Sequence, residues 1–530
     1  MLYALILIPA VFALLIAMAP ARHSLVFAKV GSLILFFATL AAMMPFSFDW
    51  KDAAAYQMTG AIPFVPALGI ELSVGVDSIA LWLIALTALL CPLCVWGSQT
   101  AITTRVRTYY AWLMALHAAM IGVFAARDLV FFYICFEFTL VPMYVLINLW
   151  GSTNREKAAT KFFLFTFTGS IIALAGLVYV AYQGYTRYGS WSFDIATMQQ
   201  VAASMSMREQ GWVLFALMAG FAVKVPLFPV HTWLPLAHTE APTAGSVILA
   251  GVLLKLGTYA IFRFVLPFVP DALREYAPFI AVLAVIGILY AGLICWVQRD
   301  VKKLVAYSSV AHLGFCVLGM VAYNKAGNAG AVMYMINHGL STGALFFCIG
   351  MMYERYHTRS LDEVGGLATK MPIWAFFMGY FAMASVGLPG LNGFVSEFLC
   401  LIGTFQSGAQ GIGGTAGNLG PWYAAVAGTG MIVAAIYLLY MVGKIVLGPL
   451  KEPSGHGHHD DDAHALPADL TPREIGILGV LAVACLVLGV LPGPMLKSID
   501  APIEATLAAM GVVDAPAVAL APAELKEATP

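Results

Sequence analysis

The sequence predicts an all-α integral membrane protein with about 14 transmembrane helices. The 530-residue chain is 61% hydrophobic and 10% charged, whereas a soluble domain is about 25% charged. Apolar runs of about 20 residues recur along nearly the whole chain, and that length spans a ~30 Å hydrocarbon core at ~1.5 Å per residue. This pattern excludes an ordinary soluble protein. The net charge of −1 and the lack of a basic stretch give no indication of nucleic acid binding.

The apolar runs place the helices one by one along the chain. They predict transmembrane helices at about 2–21, 25–45, 76–98, 108–126, 128–150, 162–186, 211–243, 244–266, 276–298, 301–323, 328–353, 372–407, 421–447 and 474–495. Most of the 27 Lys and Arg residues fall in the odd-numbered loops, including Arg299, Lys302 and Lys303 between helices 9 and 10. By the positive-inside rule the odd-numbered loops face the cytoplasm. An even number of helices then places both termini on the opposite side.

Two of these helices contain residues that interrupt a helix. Helix 7 contains Pro226, Pro229 and Pro235, and helix 12 contains the run GLPGLNG at Gly387–Gly393. Proline removes a backbone donor, and unwound backbone is tolerated in a membrane only beside protein or a water-filled cavity. Each interrupted helix is the fourth member of a five-helix block, helices 4–8 and helices 9–13. Broken helices in corresponding positions are typical of inverted-repeat transporters.

This pattern divides the chain into four parts. They are the N-terminal helices 1–3 (1–100), a first five-helix repeat (101–268), a second five-helix repeat (269–449), and a linker with helix 14 and a tail (450–530). The linker KEPSGHGHHDDDAHAL could bind a metal ion through His456, His458, His459, His464 and Asp460–Asp462. Nothing fixes a coordination geometry there, so a solvated cytoplasmic loop is the preferred interpretation. The Ala/Pro-rich tail after Leu496 is predicted to be surface-bound or loosely ordered.

The sequence contains no motif for a redox cofactor. Cys91 and Cys94 form a C-x-x-C inside an apolar helix without a second pair, which indicates buried apolar cysteines rather than a metal or redox site. No cysteine quartet is present, and no GxGxxG follows a strand. We therefore expect this chain to hold neither a cofactor nor a metal ion.

A few ionisable side chains lie inside the predicted helices. A charge at the bilayer centre costs about 2.5–3.5 kcal/mol on insertion scales, so such residues mark an ion or proton path by default. The candidate proton carriers are Glu137, Lys224, Lys255, His312, His338 and Glu397. A structural or gating role is predicted for the residues that flank the break in helix 7, His231, His238 and Glu240. His117 is predicted to be a structural histidine.

Glu137 and Lys224 are predicted to act together as a proton switch. A buried ammonium beside a carboxylate keeps its proton, and it releases the proton when the carboxylate moves away. The alternative is a static buried ion pair. Lys255 lies near the centre of helix 8 without an obvious local counter-ion, too far from either end for its side chain to reach water. It is therefore predicted to belong to the same relay.

The two histidines of the second repeat lie on polar helix faces. His312 follows Ser308 by one helical turn, and His338 shares its face with Ser341 and Thr342. Because histidine titrates near neutral pH, it suits a proton shuttle. Hydrogen-bonded structural histidines are the alternative. Glu397 lies just past the break in helix 12, as Lys224 lies at the break in helix 7.

Several of these runs resemble the motifs of a known family. The sequence WLPLAHTEAPTAGSVILAGVLLKLGTYAIFRF at Trp233–Phe264, with Lys224 upstream, closely resembles the signature of the antiporter-like subunits of proton-pumping NADH–quinone oxidoreductase, respiratory complex I. The runs RDLVFFYICFEFTLVPMYVLINLWG and AYSSVAHLGF are also similar to that family. Within the family the L and N types usually carry a lysine on the broken twelfth helix, whereas the M type carries a glutamate. Glu397 therefore indicates the M type, also called the chain 4 type.

The resemblance implies a fold, a mechanism and partners. It implies fourteen helices with two inverted five-helix repeats and a central hydrophilic axis through the six candidate carriers. It implies that flavin, iron–sulfur clusters and quinone are held by partner subunits, and that the chain assembles with L- and N-type subunits among membrane lipids. The expected location is a bacterial inner membrane, with both termini on the periplasmic side. Leu236 departs from the motif, which often has a polar or charged residue at that position.

Other functions share these motifs. One alternative is a subunit of a multisubunit sodium/proton antiporter or of a membrane hydrogenase module. Another is a purely structural piece of a membrane arm, in which the buried charges are inert ion pairs. Proton flux that depends on sodium and not on NADH would favour the first, and pumping that is insensitive to the candidate residues would favour the second.

Overall fold

The computed structural model describes residues 1–408, 417–453 and 468–512, and these residues are mainly α-helical. The helices are α1 (Leu2–Met18), α2 (Ser24–Met43), α3 (Ser78–Gly97), α4 (Val106–Ala125), α5 (Leu129–Phe138), α6 (Leu140–Trp150), α7 (Arg155–Tyr188), α8 (Ile195–Ala203), α9 (Met207–Lys224), α10 (Leu234–Glu240), α11 (Thr243–Ile248), α12 (Leu254–Ala260), α13 (Pro270–Trp296), α14 (Val301–Met320), α15 (Lys325–Tyr356), α16 (Pro372–Val386), α17 (Asn392–Gln406), α18 (Pro421–Ile445), α19 (Pro472–Val490) and α20 (Gly493–Ala509). Single turns of 3₁₀-helix lie at Ala21–His23, Trp50–Asp52, Pro66–Leu68 and Leu367–Thr369.

Between α2 and α3 the chain forms two small antiparallel ribbons that the sequence analysis did not predict. The strands are β1 (Gln57–Gly60), β2 (Pro63–Val65), β3 (Ile70–Glu71) and β4 (Val74–Val76). Strand β1 pairs with β4, and β2 pairs with β3. The ribbons lead directly into α3, whose first turn is capped by the carboxylate of Asp77.

The described residues contain eleven helical stretches that are long and apolar enough to cross a membrane, and α1 and α16 are shorter apolar helices. This confirms the all-α membrane class, while the number of 14 helices stays a prediction. The most apolar windows of Thr243–Val265 and Lys325–Tyr356 are completely buried, whereas only 33% and 28% of the windows of α18 and α19 are buried. The candidate carriers Lys255 and His338 therefore lie on helices that are surrounded by protein, and exposed apolar helices form the outside.

Both predicted helix breaks are confirmed. Helix α9 ends at Lys224, and α10 begins at Leu234 with Pro235 in its first turn, where the missing N–H of proline costs nothing. Helix α16 ends at Val386 with Gly387 in the left-handed conformation (φ +83°), which favours glycine. Helix α17 then begins at Asn392.

The predicted transmembrane helix over 128–150 is confirmed as one apolar span, Leu129–Trp150. Within that span the helix is interrupted at Thr139, between α5 and α6. Pro142 explains the division, because its ring clashes with the carbonyl four residues earlier and its nitrogen cannot donate to that carbonyl. The hydroxyl of Thr139 donates instead to the carbonyl of Phe136 at 2.7 Å. The division therefore lies two residues from Glu137.

The start of the tail is also more ordered than predicted. Helix α20 packs on α3 and α15. Ser78 donates to the carbonyl of Ser498 at 2.6 Å, and Trp82 donates to the Ser498 hydroxyl at 2.8 Å. Lys325 pairs with Asp500 and Glu504 at 3.2 and 2.8 Å. The predicted loose tail is thus a packed helix up to Ala509, and the rest of the tail and the His/Asp-rich residues of the linker lie outside the described residues.

Candidate functional site

Lys224 is held at the end of α9, next to the division between α5 and α6. Its side chain is 3% exposed. The ammonium donates to the hydroxyl of Thr139 at 3.3 Å and lies 4.7 Å from the ring centre of Phe136. A cation over an aromatic face and a hydroxyl acceptor replace part of the hydration that burial removes.

Glu137 lies beside Lys224 without an ion pair. The two side chains interact electrostatically, but neither carboxylate oxygen of Glu137 lies within 4.0 Å of the Lys224 nitrogen, so they form no salt bridge. Oxygen Oε1 of Glu137 is buried and has no hydrogen-bond partner among the described residues. Ser170 on α7 is a second polar group close to the carboxylate. In this conformation Lys224 donates to Thr139, and the predicted ion pair between Lys224 and Glu137 is not formed.

Lys255 is completely buried between two π-helical turns, Leu249–Leu253 and Ile261–Val265. A π turn shifts the backbone bonds from residue i−4 to i−5 and is frequent at functional sites. The ammonium of Lys255 donates to the carbonyl of Ala250 in the first of these turns. Its second partner is Nδ1 of His338 at 2.6 Å. Within the described ranges no carboxylate forms a salt bridge with Lys255, as the sequence indicated.

His312, His338 and Glu397 meet around Tyr334. The hydroxyl of Tyr334 donates to Oε1 of Glu397 at 2.6 Å and lies 2.8 Å from Nδ1 of His312. The rings of His312 and His338 are 5.9 Å apart between centroids. The other ring nitrogen of His312, Nε2, lies 3.5 Å from the hydroxyl oxygen of Tyr437.

A small cavity of about 10 Å³ lies among these groups, which is room for about one water molecule. It is lined mainly by polar side chains, which include His312, Tyr334, Asn337, His338, Ser341, Thr342, Ser385, Ser396 and Glu397. Its polar lining offers hydrogen-bond partners to a single water between these fixed groups. Nε2 of His338 and Oε2 of Glu397 are both buried and have no partner among the residues described.

The break in the second repeat positions Glu397. A Cβ placed on Gly387 would lie 2.5 Å from Oε2 of Glu397. Only glycine, with φ +83° and no side chain, leaves room for the carboxylate there. The interrupted helix thus brings a buried carboxyl oxygen against unwound backbone.

The structure therefore groups the six predicted residues into two clusters. Glu137 and Lys224 form one, and the other four form the second. Gly257, two residues after Lys255, connects them: a Cβ there would lie 3.0 Å from Cβ of Lys224. The helix that carries Lys255 thus packs directly against Lys224.

Two polar residues near the second cluster were not found from the sequence. Tyr334 bridges His312 and Glu397, and its spacing of four residues before His338 was the available signal. Lys302, which the sequence analysis assigned to a loop, is buried in the first turn of α14. Its ammonium donates to the carbonyl of Ala241 at 2.5 Å. The sequence placed Lys302 in a loop because of its charge. The apolar methylene chain of a lysine also allows burial at a helix start, as it occurs here.

The residues near the break in helix 7 have distinct environments. His238 is fully buried, stacks on Phe346 at 4.7 Å and interacts electrostatically with Lys302 and Lys255. Glu240 accepts from the hydroxyl of Ser152 at 2.5 Å, which ties α10 to the loop between α6 and α7. Their structural or gating roles stay predictions.

Two other histidines have mainly packing contacts. His231 packs between the rings of Phe228 and Tyr290. His117 is buried, and its Nδ1 lies 2.7 Å from the carbonyl of Leu113. Both arrangements favour structural histidines.

The cysteines are buried. All eight are free, including Cys91 and Cys94. In the part of the chain that the structure describes, no group of three or more His, Cys, Asp or Glu side chains is arranged to hold a metal ion. Buried apolar cysteines, as the sequence indicated, account for these positions.

The helical fold and its buried titratable groups define a class, the antiporter-like subunits of ion-translocating membrane complexes. Residues 126–418, more than half of the chain, match the family described as NADH:quinone oxidoreductase/Mrp antiporter, transmembrane. The chain belongs to this family, which confirms the resemblance seen in the motifs.

Individual relatives agree with this assignment. The chain is 41% identical over 436 residues to a protein of Rhodobacter capsulatus named NADH-quinone oxidoreductase subunit M, covering 80% of each chain. It is similar to a chain of respiratory complex I from Thermus thermophilus, with a TM-score of 0.83, 27% identity, and coverage of 96% of this chain and 100% of that chain. It also has the fold of a chain in the Mrp complex from Dietzia sp., with a TM-score of 0.77, 21% identity, and coverage of 96% of this chain and 52% of that chain.

Proposed function

We propose that this chain is a proton-translocating membrane-arm subunit of NADH–quinone oxidoreductase. The observation that carries the proposal is the buried cluster in which hydrogen bonds link Lys255 to His338 and, through Tyr334, His312 to Glu397. Titratable groups are expensive inside a membrane and are retained there for ion or proton transfer. The names of the relatives support the M type, as does the glutamate at position 397.

Proton transfer starts at the switch between Glu137 and Lys224. When the two side chains separate, Lys224 loses the favourable charge of the carboxylate and releases its proton. That proton passes to Lys255, whose helix packs against Lys224 at Gly257, and Lys255 gives a proton to Nδ1 of His338 along their 2.6 Å contact. The proton continues to His312 and to the carboxylate of Glu397, and the protonated carboxyl group releases it at the break beside Gly387. Redox chemistry in other subunits drives the cycle, and this chain itself breaks no covalent bond of a substrate.

The proposal includes partners and a location. L- and N-type antiporter-like subunits are proposed as neighbours in the membrane arm, and the exposed apolar helices contact lipid or those neighbours. Flavin, iron–sulfur clusters and quinone belong to partner subunits in this proposal. The chain is a multi-pass protein of the bacterial inner membrane, and the distribution of Lys and Arg among its loops favours periplasmic termini.

The proposal is tested with Glu137→Gln and Lys224→Ala in the intact complex reconstituted in liposomes. Both variants should lower proton uptake into the vesicles, because each removes one partner of the switch. Glu275→Gln and Lys157→Ala are matched controls, since they make the same chemical changes at exposed positions. Undiminished NADH oxidation together with undiminished pumping in both test variants would contradict the relay.

A second candidate is a subunit of a sodium/proton antiporter, favoured by the fold shared with the Mrp complex chain. The two functions differ in what copurifies and in what drives proton flux. Flavin and iron–sulfur signals with NADH dehydrogenase activity in mild detergent support complex I. Sodium-dependent proton flux without NADH supports the antiporter.

A further inference from the structure

We propose that Tyr334 is a proton-carrying residue, whose hydroxyl completes the path from His312 to Glu397. This inference rests on the proposed function and adds a seventh member to the relay. Tyr334 is 3% exposed and lies on α15. Its hydroxyl contacts two titratable side chains from two other helices, α14 and α17, at the same time.

The hydrogen bonds around Tyr334 have a direction. Its O–H donates to Oε1 of Glu397 at 2.6 Å, so a lone pair of the same oxygen is free to accept from His312, 2.8 Å away, when Nδ1 of that ring carries a hydrogen, as it does in the protonated imidazole. A hydroxyl is suited to this position because it donates and accepts simultaneously. The three groups therefore form a continuous donor-to-acceptor chain.

A direct step from His312 to Glu397 is less well aligned. Nδ1 of His312 lies 3.3 Å from Oε1 of Glu397, which is ion-pair distance, but the pair has no hydrogen bond in the described structure. One ring N–H points to one acceptor, and the nearer acceptor is the oxygen of Tyr334. Proton transfer needs a short, aligned hydrogen bond, so the route through Tyr334 is the favoured one.

The surrounding packing holds the phenol in place. The ring of Phe315 stacks on Tyr334 with centroids 6.4 Å apart and planes 11° apart. His338 lies one turn further along α15, with its ring 6.4 Å from that of Tyr334. The window of α15 that carries both residues is buried on all sides. The hydroxyl is thus fixed between its two partners rather than free to rotate into solvent.

The proposed step balances without any further reactant. The N–H bond of protonated His312 breaks as a new O–H bond forms on Tyr334. At the same time the original O–H bond of Tyr334 breaks, and its proton binds Oε1 of Glu397. The net change is a neutral His312, an unchanged Tyr334 and a protonated Glu397. The phenol does not accumulate charge, since it gains one proton as it loses another.

The test is Tyr334→Phe in the intact complex, reconstituted in proteoliposomes. Phenylalanine keeps the ring and its packing and removes only the hydroxyl. Proton pumping should fall by about 10²-fold, the size of a typical contribution from a positioned proton-transfer group. Tyr323→Phe is the matched control, because Tyr323 is also a buried tyrosine of the second repeat and donates to the carbonyl of Pro270 at 2.8 Å.

A double variant separates proton transfer from a structural role. In a Glu397→Gln background, Tyr334→Phe should cause no further loss of pumping, because the step that uses the hydroxyl is already blocked. An additional loss in that background, or pumping by Tyr334→Phe at the rate of Tyr323→Phe, would overturn the inference. If the variants Tyr334→Phe, Glu397→Gln and Lys255→Met all pump at the wild-type rate, the proposed function fails. If Glu397→Gln and Lys255→Met lose pumping and Tyr334→Phe does not, only the role of Tyr334 fails.

Discussion

Replacing Lys255 by methionine is expected to abolish proton pumping and to lower the stability of the assembled complex by about 3 kcal/mol or less. The ammonium donates to the carbonyl of Ala250 and to Nδ1 of His338. Hydrogen bonds of a charged group contribute about 1.5–3 kcal/mol each, so the substitution loses about 3–6 kcal/mol. It also removes a fully buried charge, whose desolvation costs several kcal/mol. The two effects oppose each other, and the net change in stability is about 3 kcal/mol or less.

Pumping responds differently, because methionine cannot carry a proton. The proton would have to reach His338 without the ammonium that contacts it. A barrier increase of about 2.7 kcal/mol already lowers a rate about 100-fold. The expected result is therefore a loss of pumping without a comparable loss of assembled complex.

The assay compares three forms of the complex in proteoliposomes: wild type, Lys255→Met and Lys255→Arg. Arginine keeps the positive charge and the donors but does not deprotonate in proteins. A pH-sensitive dye follows proton uptake, NADH absorbance follows turnover, and thermal unfolding follows stability. Lys255→Arg should also fail to pump. Normal pumping with arginine at this position would refute the idea that Lys255 releases its proton, and would leave it a structural cation.

Two further predictions concern backbone space and a buried ion pair. Gly387→Ala forces a side chain into the left-handed region, at a cost of about 1–2 kcal/mol, and towards Oε2 of Glu397, so pumping in proteoliposomes should fall. Gly428→Ala is its control because a Cβ there meets open space, and equal pumping in both variants would contradict the prediction. Arg263→Leu leaves the carboxylate of Asp77, which is 2% exposed, without its partner and should destabilise the chain by about 3–5 kcal/mol. Thermal unfolding of the complex measures this loss, Asp77→Asn in the same chain should restore part of it, and an unchanged unfolding temperature in Arg263→Leu would disprove the assignment.

Much of the fold could be predicted because it depends on local properties of the chain. The lengths of the apolar runs fix the membrane class, and the proline and glycine clusters predict the breaks at Lys224 and Gly387. The span over 128–150 was predicted, but its interruption at Thr139 was not, because a proline such as Pro142 inside a long apolar run is often tolerated in membranes. Lys302 was misplaced for a related reason: a lysine at a helix end can be solvated or buried, and only packing decides which.

The sequence by itself indicated that Lys224, Lys255, His312, His338 and Glu397 would be buried, since apolar neighbours along their helices exclude water. Only the tertiary structure decided which of these groups meet. Lys255 contacts His338, 83 residues away, and Tyr334 contacts Glu397, 63 residues away, whereas Lys224 contacts Thr139 and not Glu137. Hydrogen bonds require donor and acceptor within about 3 Å and aligned. The rotation and packing of whole helices determine those distances, and no local pattern in the sequence specifies them.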